Sequence, residues 1–134
     1  MSATHAKFEL RDLGSAGLVL RCQGGLSWED RDLLAAQIEQ HIQYRPGLTG
    51  VVFDLAGLEF INSAGLGALF QVNRRLRDHG ARLAFASVPP MIVRMFRAVG
   101  LSRLCGMAET VEQAAAWLQE QQQADGAPGR AQTA

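Results

Sequence analysis

The sequence has no surplus of charge of either sign: 13 Lys and Arg face 13 Asp and Glu. Nucleic-acid binders carry a basic excess, so direct nucleic-acid contact is not expected. There is no apolar run long enough to cross a bilayer. Residues 1–10 include His5, Lys7 and Glu9 and hold no apolar signal core. The chain therefore reads as cytoplasmic, without membrane insertion. Cysteine is scarce: Cys22 and Cys105 lie far apart in apolar segments, with no CxxC pair. Two reduced, partly buried thiols are expected, with a single disulfide as the open alternative. His5, His41 and His79 show no metal-ligand spacing and read as solvated, so neither a metal site nor a cofactor is expected. Gly65-Leu66-Gly67 lacks the Lys-Ser/Thr that completes a nucleotide phosphate loop. No Ser-His-Asp set has supporting context, and Glu29, Asp30 and Asp32 read as a solvated helical first turn. Nothing assembles a reaction centre; an enzyme is not expected, and no residue is assigned as catalytic.

What is present is a foldable core. The chain has 134 residues, 48% of them hydrophobic, which suits one domain stable without disulfides or metals. Phe8-Glu9-Leu10-Arg11 alternates as a half-buried strand does, and Leu18-Val19-Leu20-Arg21-Cys22 forms a second strand, ended by Gly24-Gly25. The two are expected to pair as an antiparallel hairpin across a turn at residues 14–17. Ser27 is a good N-cap, and Leu33, Leu34, Ile38 and Ile42 recur at helical spacing until Pro46-Gly47. Val51-Val52-Phe53 with Leu55 reads as a central strand covered on both faces. After a short polar loop, residues 63–78 read as a second helix with a stripe of Leu66, Leu69, Val72 and Leu76, stopped by Gly80. Leu83-Ala84-Phe85-Ala86 is a further strand. A third helix spans Pro90–Val99, with Pro at its first turn, and residues 104–107 form a weak last strand. Thr110 and Gln113 make a capping-box pair for a final helix ending near Gln122.

The order β-β-α-β-α-β-α-β-α predicts an α/β fold: a mixed, largely parallel sheet with helices packed against it. Residues 1–7 are an N-terminal lead, 8–122 the single domain, and 123–134 a polar tail expected to be disordered.

Chemistry concentrates between Asp54 and Gly67. A strand ends in an acidic residue, a loop follows, and a helix begins at Ser63. Helix starts leave N–H groups unpaired and carry partial positive charge, which suits a phosphate. Serine is also among the commonest N-caps. Gly65 and Gly67 weaken a helix interior by roughly 0.5–1 kcal/mol relative to alanine, so close approach of another group is expected there. Phe70 lies off the stripe, where it is either core edge or partner contact. Met91, Met95 and Phe96 on the third helix are open to the same two readings, with spacing favouring core for Met95.

Asp54-Leu55, then Phe60-Ile61-Asn62-Ser63-Ala64-Gly65-Leu66-Gly67, resembles the signature of the STAS family, the family of anti-sigma factor antagonists. Gly80-Ala81-Arg82-Leu83, Ser87-Val88-Pro89-Pro90, Val99-Gly100-Leu101 and Thr110-Val111-Glu112-Gln113-Ala114 resemble its later segments. The resemblance runs from about residue 8 to 118 and implies a STAS-type sheet. It also implies a non-enzymatic switch in sigma-factor-dependent transcription. Ser63 would be phosphorylated by an anti-sigma factor with serine-kinase activity, which supplies the ATP site. Phosphorylation would abolish docking, and a serine phosphatase would restore it. Asp54, Asn62, Ser63, Ala64, Gly65, Gly67 and Phe70 would form the partner-binding set. The family also implies two other roles, as a subunit of a lipid-transport ABC complex or of a stressosome-like scaffold. One residue departs from the family pattern: Asn62 stands where the family usually has Asp, keeping the hydrogen-bonding capacity and losing the charge.

Overall fold

The computed structural model describes residues 7–13 and 17–126. A five-stranded sheet runs in the order β1 (Lys7–Asp12), β2 (Gly17–Leu26), β3 (Gly50–Ile61), β4 (Arg82–Ala86), β5 (Gly106–Ala108). The β1 and β2 pair is antiparallel and the other three pairings are parallel. This is the mixed, largely parallel sheet expected from the alternation of elements.

Among the described residues five helices surround it: α1 (Trp28–Tyr44), α2 (Ser63–His79), α3 (Pro90–Val99), α4 (Leu101–Leu104) and α5 (Val111–Gly126). The expected order had one helix fewer: the one-turn α4 follows Gly100 directly. The last strand begins later than the expected 104–107, at Gly106. The closing helix runs on to Gly126, so residues 123–126 are helical where a disordered tail was expected; the rest of that tail and most of the lead lie outside the described residues.

The sheet is covered on both faces because its central strands are apolar on both. One core gathers Leu18, Leu20, Val51, Phe53 and Phe85 of the strands with Leu34 of α1, Leu69 and Leu76 of α2 and Phe96 of α3. Its aromatic centre is an edge-on Phe53–Phe85 pair with centroids 5.9 Å apart, extended by Phe96 at 4.9 Å from Phe85, a geometry that ring quadrupoles favour. The opposite face is built of smaller groups, Val19, Val52, Ala84 and Ala86, against Ala114 and Leu118 of α5. Alternation along the strands produces this division, since successive side chains point to opposite faces.

The helix boundaries have local causes. The Asp30 carboxylate accepts from both the backbone N–H and the hydroxyl of Ser27, at 3.0 and 3.2 Å, closing the first turn of α1. Asp30 is therefore buried as a cap partner instead of being solvated. Leu33, expected in the buried stripe, is 48% exposed, because the 34–38–42 row turns it outward. Gly80 ends α2 with φ 92°, donating its N–H to Arg77 and Leu76 carbonyls; a left-handed residue there costs glycine nothing. At α5 the Thr110 hydroxyl accepts from the Gln113 N–H, and the Gln113 side chain accepts from the Glu109 N–H, both at 3.1 Å. His79 is half-buried where solvation was expected, and its Nε2 is enclosed with no hydrogen-bond partner among the described residues. Cys22 and Cys105 are free and buried.

Candidate functional site

The candidate site is built on a strand that continues where a loop was expected. β3 pairs with β4 only over residues 50–54; beyond Asp54 it continues to Ile61 beside β2 alone. The sheet thus projects a two-stranded ribbon. At its tip Leu26 pairs with Ile61, and α1 and α2 begin immediately after. Two interruptions in register, between Arg21 and Gln23 and between Gly24 and Gly25, each place an extra β3 residue against β2. These are β-bulges, and each switches which face the next side chain meets. Leu55, Leu58 and Ile61 consequently all turn into the main core, at every third position.

Asp54 organises the first bulge. Its carboxylate accepts from the Ala56 N–H at 3.1 Å and from Arg21 Nε at 3.4 Å. It is 7% exposed. By strand alternation it shares the face of Val52, which packs towards α5, while Phe53 and Leu55 face α1, α2 and α3. Asp54 lines a groove of about 840 Å³ with Arg21, Ser87, Thr110 and Glu112. The expected grouping of Asp54 with Ser63 is not formed. The aspartate sits earlier on the strand and on the other side of the sheet, satisfying a bulge N–H that the ladder leaves unpaired.

The start of α2 places the remaining residues. Asn62, not Ser63, is the N-cap: its backbone is extended and its Oδ1 accepts from the Gly65 N–H at 2.9 Å. The Asn62 carbonyl accepts from Leu66 at 2.9 Å, and the Asn62 N–H reaches the Leu26 carbonyl at 3.3 Å, tying the helix start to the end of β2. Ser63 is therefore the first helical residue, and its side chain is exposed. Helix geometry leaves the Ser63 and Ala64 N–H groups without an intrahelical acceptor. No acidic residue stands in this first turn, so the positive end of the helix is not neutralised from within it.

The two glycines differ in role. A Cβ on Gly65 would lie 2.3 Å from the Leu26 carbonyl oxygen; the close approach it permits is made by this chain's own β2 backbone. A Cβ on Gly67 would meet nothing within 4 Å. Ser63, Gly67 and Phe70 recur at i, i+4 and i+7 and so share one helix face. Ser63 on it is exposed, while Gly67 and Phe70 are half-buried, with Phe70 also packed on the core. Ala64 is half-buried beside them. Of the expected set, then, Asn62, Ser63, Ala64, Gly67 and Phe70 are gathered at one helix start, Gly65 supports it from beneath, and Asp54 stands apart.

One neighbour escaped the sequence reading. Phe60, 46% exposed, lies across from Gly25 with its ring where a Gly25 Cβ would be. Its pairing with the Gly24-Gly25 step depends on β3 continuing past Asp54, which the local pattern does not show. On the third helix, Phe96 is buried, Met95 packs against the core and Met91 is 74% exposed. No group of three or more His, Cys, Asp or Glu side chains among the described residues is arranged to hold a metal ion. No helix among them is long and apolar enough to cross a membrane.

Comparison with known proteins bears on the family and the fold. The chain is 28% identical over 87 residues to the anti-sigma F factor antagonist of Paenibacillus polymyxa, covering 65% of this chain and 74% of that protein. It is 29% identical over 101 residues to the putative anti-sigma factor antagonist BtrV of Bordetella bronchiseptica, covering 75% and 85%. Its fold is similar to that of the phosphorylated form of the Bacillus cell fate determinant SpoIIAA, with a TM-score of 0.66, 23% identity and coverage of 84% of this chain and 99% of that one. The STAS domain family model matches residues 7–114, nearly the whole of the described sheet and its helices, and the chain belongs to the STAS domain family.

Proposed function

We propose that this chain is a cytoplasmic, non-enzymatic anti-sigma factor antagonist. It docks a serine-kinase anti-sigma factor through the start of α2 and is switched off by phosphorylation of Ser63. The observation that carries the reading is the setting of Ser63: exposed, first in the helix, capped by a neutral Asn62, with no acid in its first turn. The names of the two curated relatives and the phosphorylated SpoIIAA fold support the same reading.

The hydroxyl stands beside backbone N–H groups and the helix's positive end, so a phosphate formed there is favoured within the free chain. At neutral pH it brings about −1.5 to −2 charge. In a complex fitted to a hydroxyl, that charge has to be desolvated against whatever the partner presents. A loss of about 4 kcal/mol weakens binding roughly a thousandfold, enough to release the partner without refolding either protein. A serine phosphatase resets the switch. Ser63, Ala64, the bare backbone at Gly67 and Phe70 provide the docking face, and Asn62 holds the turn.

The test compares wild type, Ser63→Ala and Ser63→Asp against the cognate kinase, with and without ATP. Binding is expected for the first two and loss for the third, with label incorporated into wild type and not into Ser63→Ala. Equal binding of all three variants, or undiminished labelling of Ser63→Ala, contradicts the proposal.

A further inference from the structure

The outer edge of β1 has a form that fits itself. Among the described residues β1 is the outermost strand, paired to β2 alone. Open strand edges invite pairing with another chain, and proteins usually blunt them with charge. β1 carries Lys7, Glu9, Arg11 and Asp12, yet their signs alternate in a way that is complementary across a two-fold axis.

Backbone geometry narrows the possible registers. The Leu13 N–H donates to the Gly17 carbonyl at 3.1 Å. In an antiparallel ladder hydrogen-bonded and non-hydrogen-bonded pairs alternate. Counting back along the observed register, Arg11, Glu9 and Lys7 turn their backbone groups towards β2. Those of Phe8, Leu10 and Asp12 therefore point outward along the open edge. A second β1 can match these only with its own Phe8, Leu10 and Asp12.

Two antiparallel registers then keep most of the strand in contact. One is centred on Glu9; it sets Glu9 opposite Glu9 and Lys7 opposite Arg11, which repel. The other is centred on Leu10; it sets Leu10 on Leu10 and, on either side, Glu9 opposite Arg11. The second is the electrostatically allowed one, and its Glu9–Arg11 pairs fall at non-hydrogen-bonded positions, where side chains approach most closely. Leu10 is 47% exposed and sits opposite buried Leu20 on β2. Burying it against its mate extends the apolar face of the main core across the axis. Glu9 already has Arg21 at 3.8 Å on its inner side, so its carboxylate would lie between two guanidinium groups.

We infer that β1 is a self-pairing edge, joining two copies of this chain through an isologous antiparallel contact centred on Leu10. The result is one continuous sheet with β1 strands at its middle. β2 separates this edge from β3, so the contact does not use the Ser63 helix start.

The test is sedimentation equilibrium of the full chain over a concentration series. Wild type is expected to approach about 29 kDa, twice the 14.5 kDa of one chain. Glu9→Arg and Arg11→Glu each replace two attractive cross-axis pairs by two repulsive ones, and each alone is expected to weaken association roughly thirtyfold. Mixed together, the two single variants regain complementary pairs and are expected to form a heterodimer of wild-type affinity. Leu10→Pro removes an outward N–H that the β1–β2 ladder does not use and is expected to be monomeric. Circular dichroism and thermal melting confirm that each variant is folded. Three results would overturn the inference: a wild type that stays at the monomer mass, a dimer indifferent to both charge reversals, or a mixture of the two variants no tighter than either alone.

Discussion

Asn62 concentrates several roles in one side chain. Its Oδ1 caps the Gly65 N–H, its carbonyl begins the helical ladder and its N–H holds the end of β2. Asn62→Ala is expected to lower stability by about 0.5–2 kcal/mol in urea unfolding. Asn62→Asp keeps the acceptor and adds an anion at the helix's positive end. At neutral pH it is expected to stabilise by about 0.3–1 kcal/mol. That gain disappears as the carboxylate protonates, so the two stability curves converge in acid. The same charge opposes a phosphate on Ser63, so under the proposed switch kinase labelling of the variant should fall relative to wild type. His41 gives a second pH dependence. Burial first, and then Arg45, lowers its pKa below the ordinary value. The unfolded chain consequently binds this proton more readily. The stability contribution of neutral His41 is complete above about pH 6.5 and is lost as pH falls through the folded-state pKa. His41→Gln should flatten that part of the urea-derived stability profile; an unchanged profile would show that the imidazole does not contribute.

At the scale of elements, the second half of β3 was the least legible part of the chain. Its apolar residues Leu55, Leu58 and Ile61 are three apart, a period belonging to neither a plain strand nor a helix, and the segment reads as a loop. Two bulges account for it, each adding a residue to β3 that β2 lacks. Whether a bulge forms depends on the partner strand and on a group such as Asp54 to satisfy the displaced N–H, and neither is written in the local pattern. The glycines of α2 make the same point. Close approach of another group is expected at both; at Gly65 that group is the chain's own Leu26 carbonyl, whereas the space at Gly67 is open. Gly65→Ala is expected to cost about 1–3 kcal/mol by forcing the helix off β2. Gly67→Ala should be neutral or stabilise by up to roughly 1 kcal/mol. If the docking face includes Gly67, the added methyl weakens partner binding while leaving the melting temperature unharmed. Thermal melts of the two variants side by side, with a binding isotherm for the second, check both statements.

In the whole molecule, both thiols lie in the main core on one face of the sheet. Burial pushes the Cys105 thiol up to about 12 and raises Cys22 further, helped by the nearby Asp54 charge. Cys22 is fully enclosed, between the strands and the helical layer. Labelling of Cys22 by a thiol reagent is therefore expected to require global opening. Its rate should rise with urea in step with the unfolding equilibrium, whereas fast labelling of the native chain would show that the β2 side of the core opens on its own. Much of this architecture was legible beforehand. Alternating apolar and polar residues gave the opening hairpin, apolar runs gave the central strands, and caps and glycines bounded the helices. These features are local and periodic, so the sequence by itself determined the element order except for the one-turn α4, the mixed sheet and a helix beginning at the Asn62-Ser63 step. Tertiary structure decided the rest: that Asn62 rather than Ser63 caps that helix, that Asp54 turns to the opposite face, that Phe60 covers Gly25 and that, among the described residues, β1 is the outermost strand. Each of these depends on which strand lies alongside and in what register, and that pairing joins residues distant in the chain.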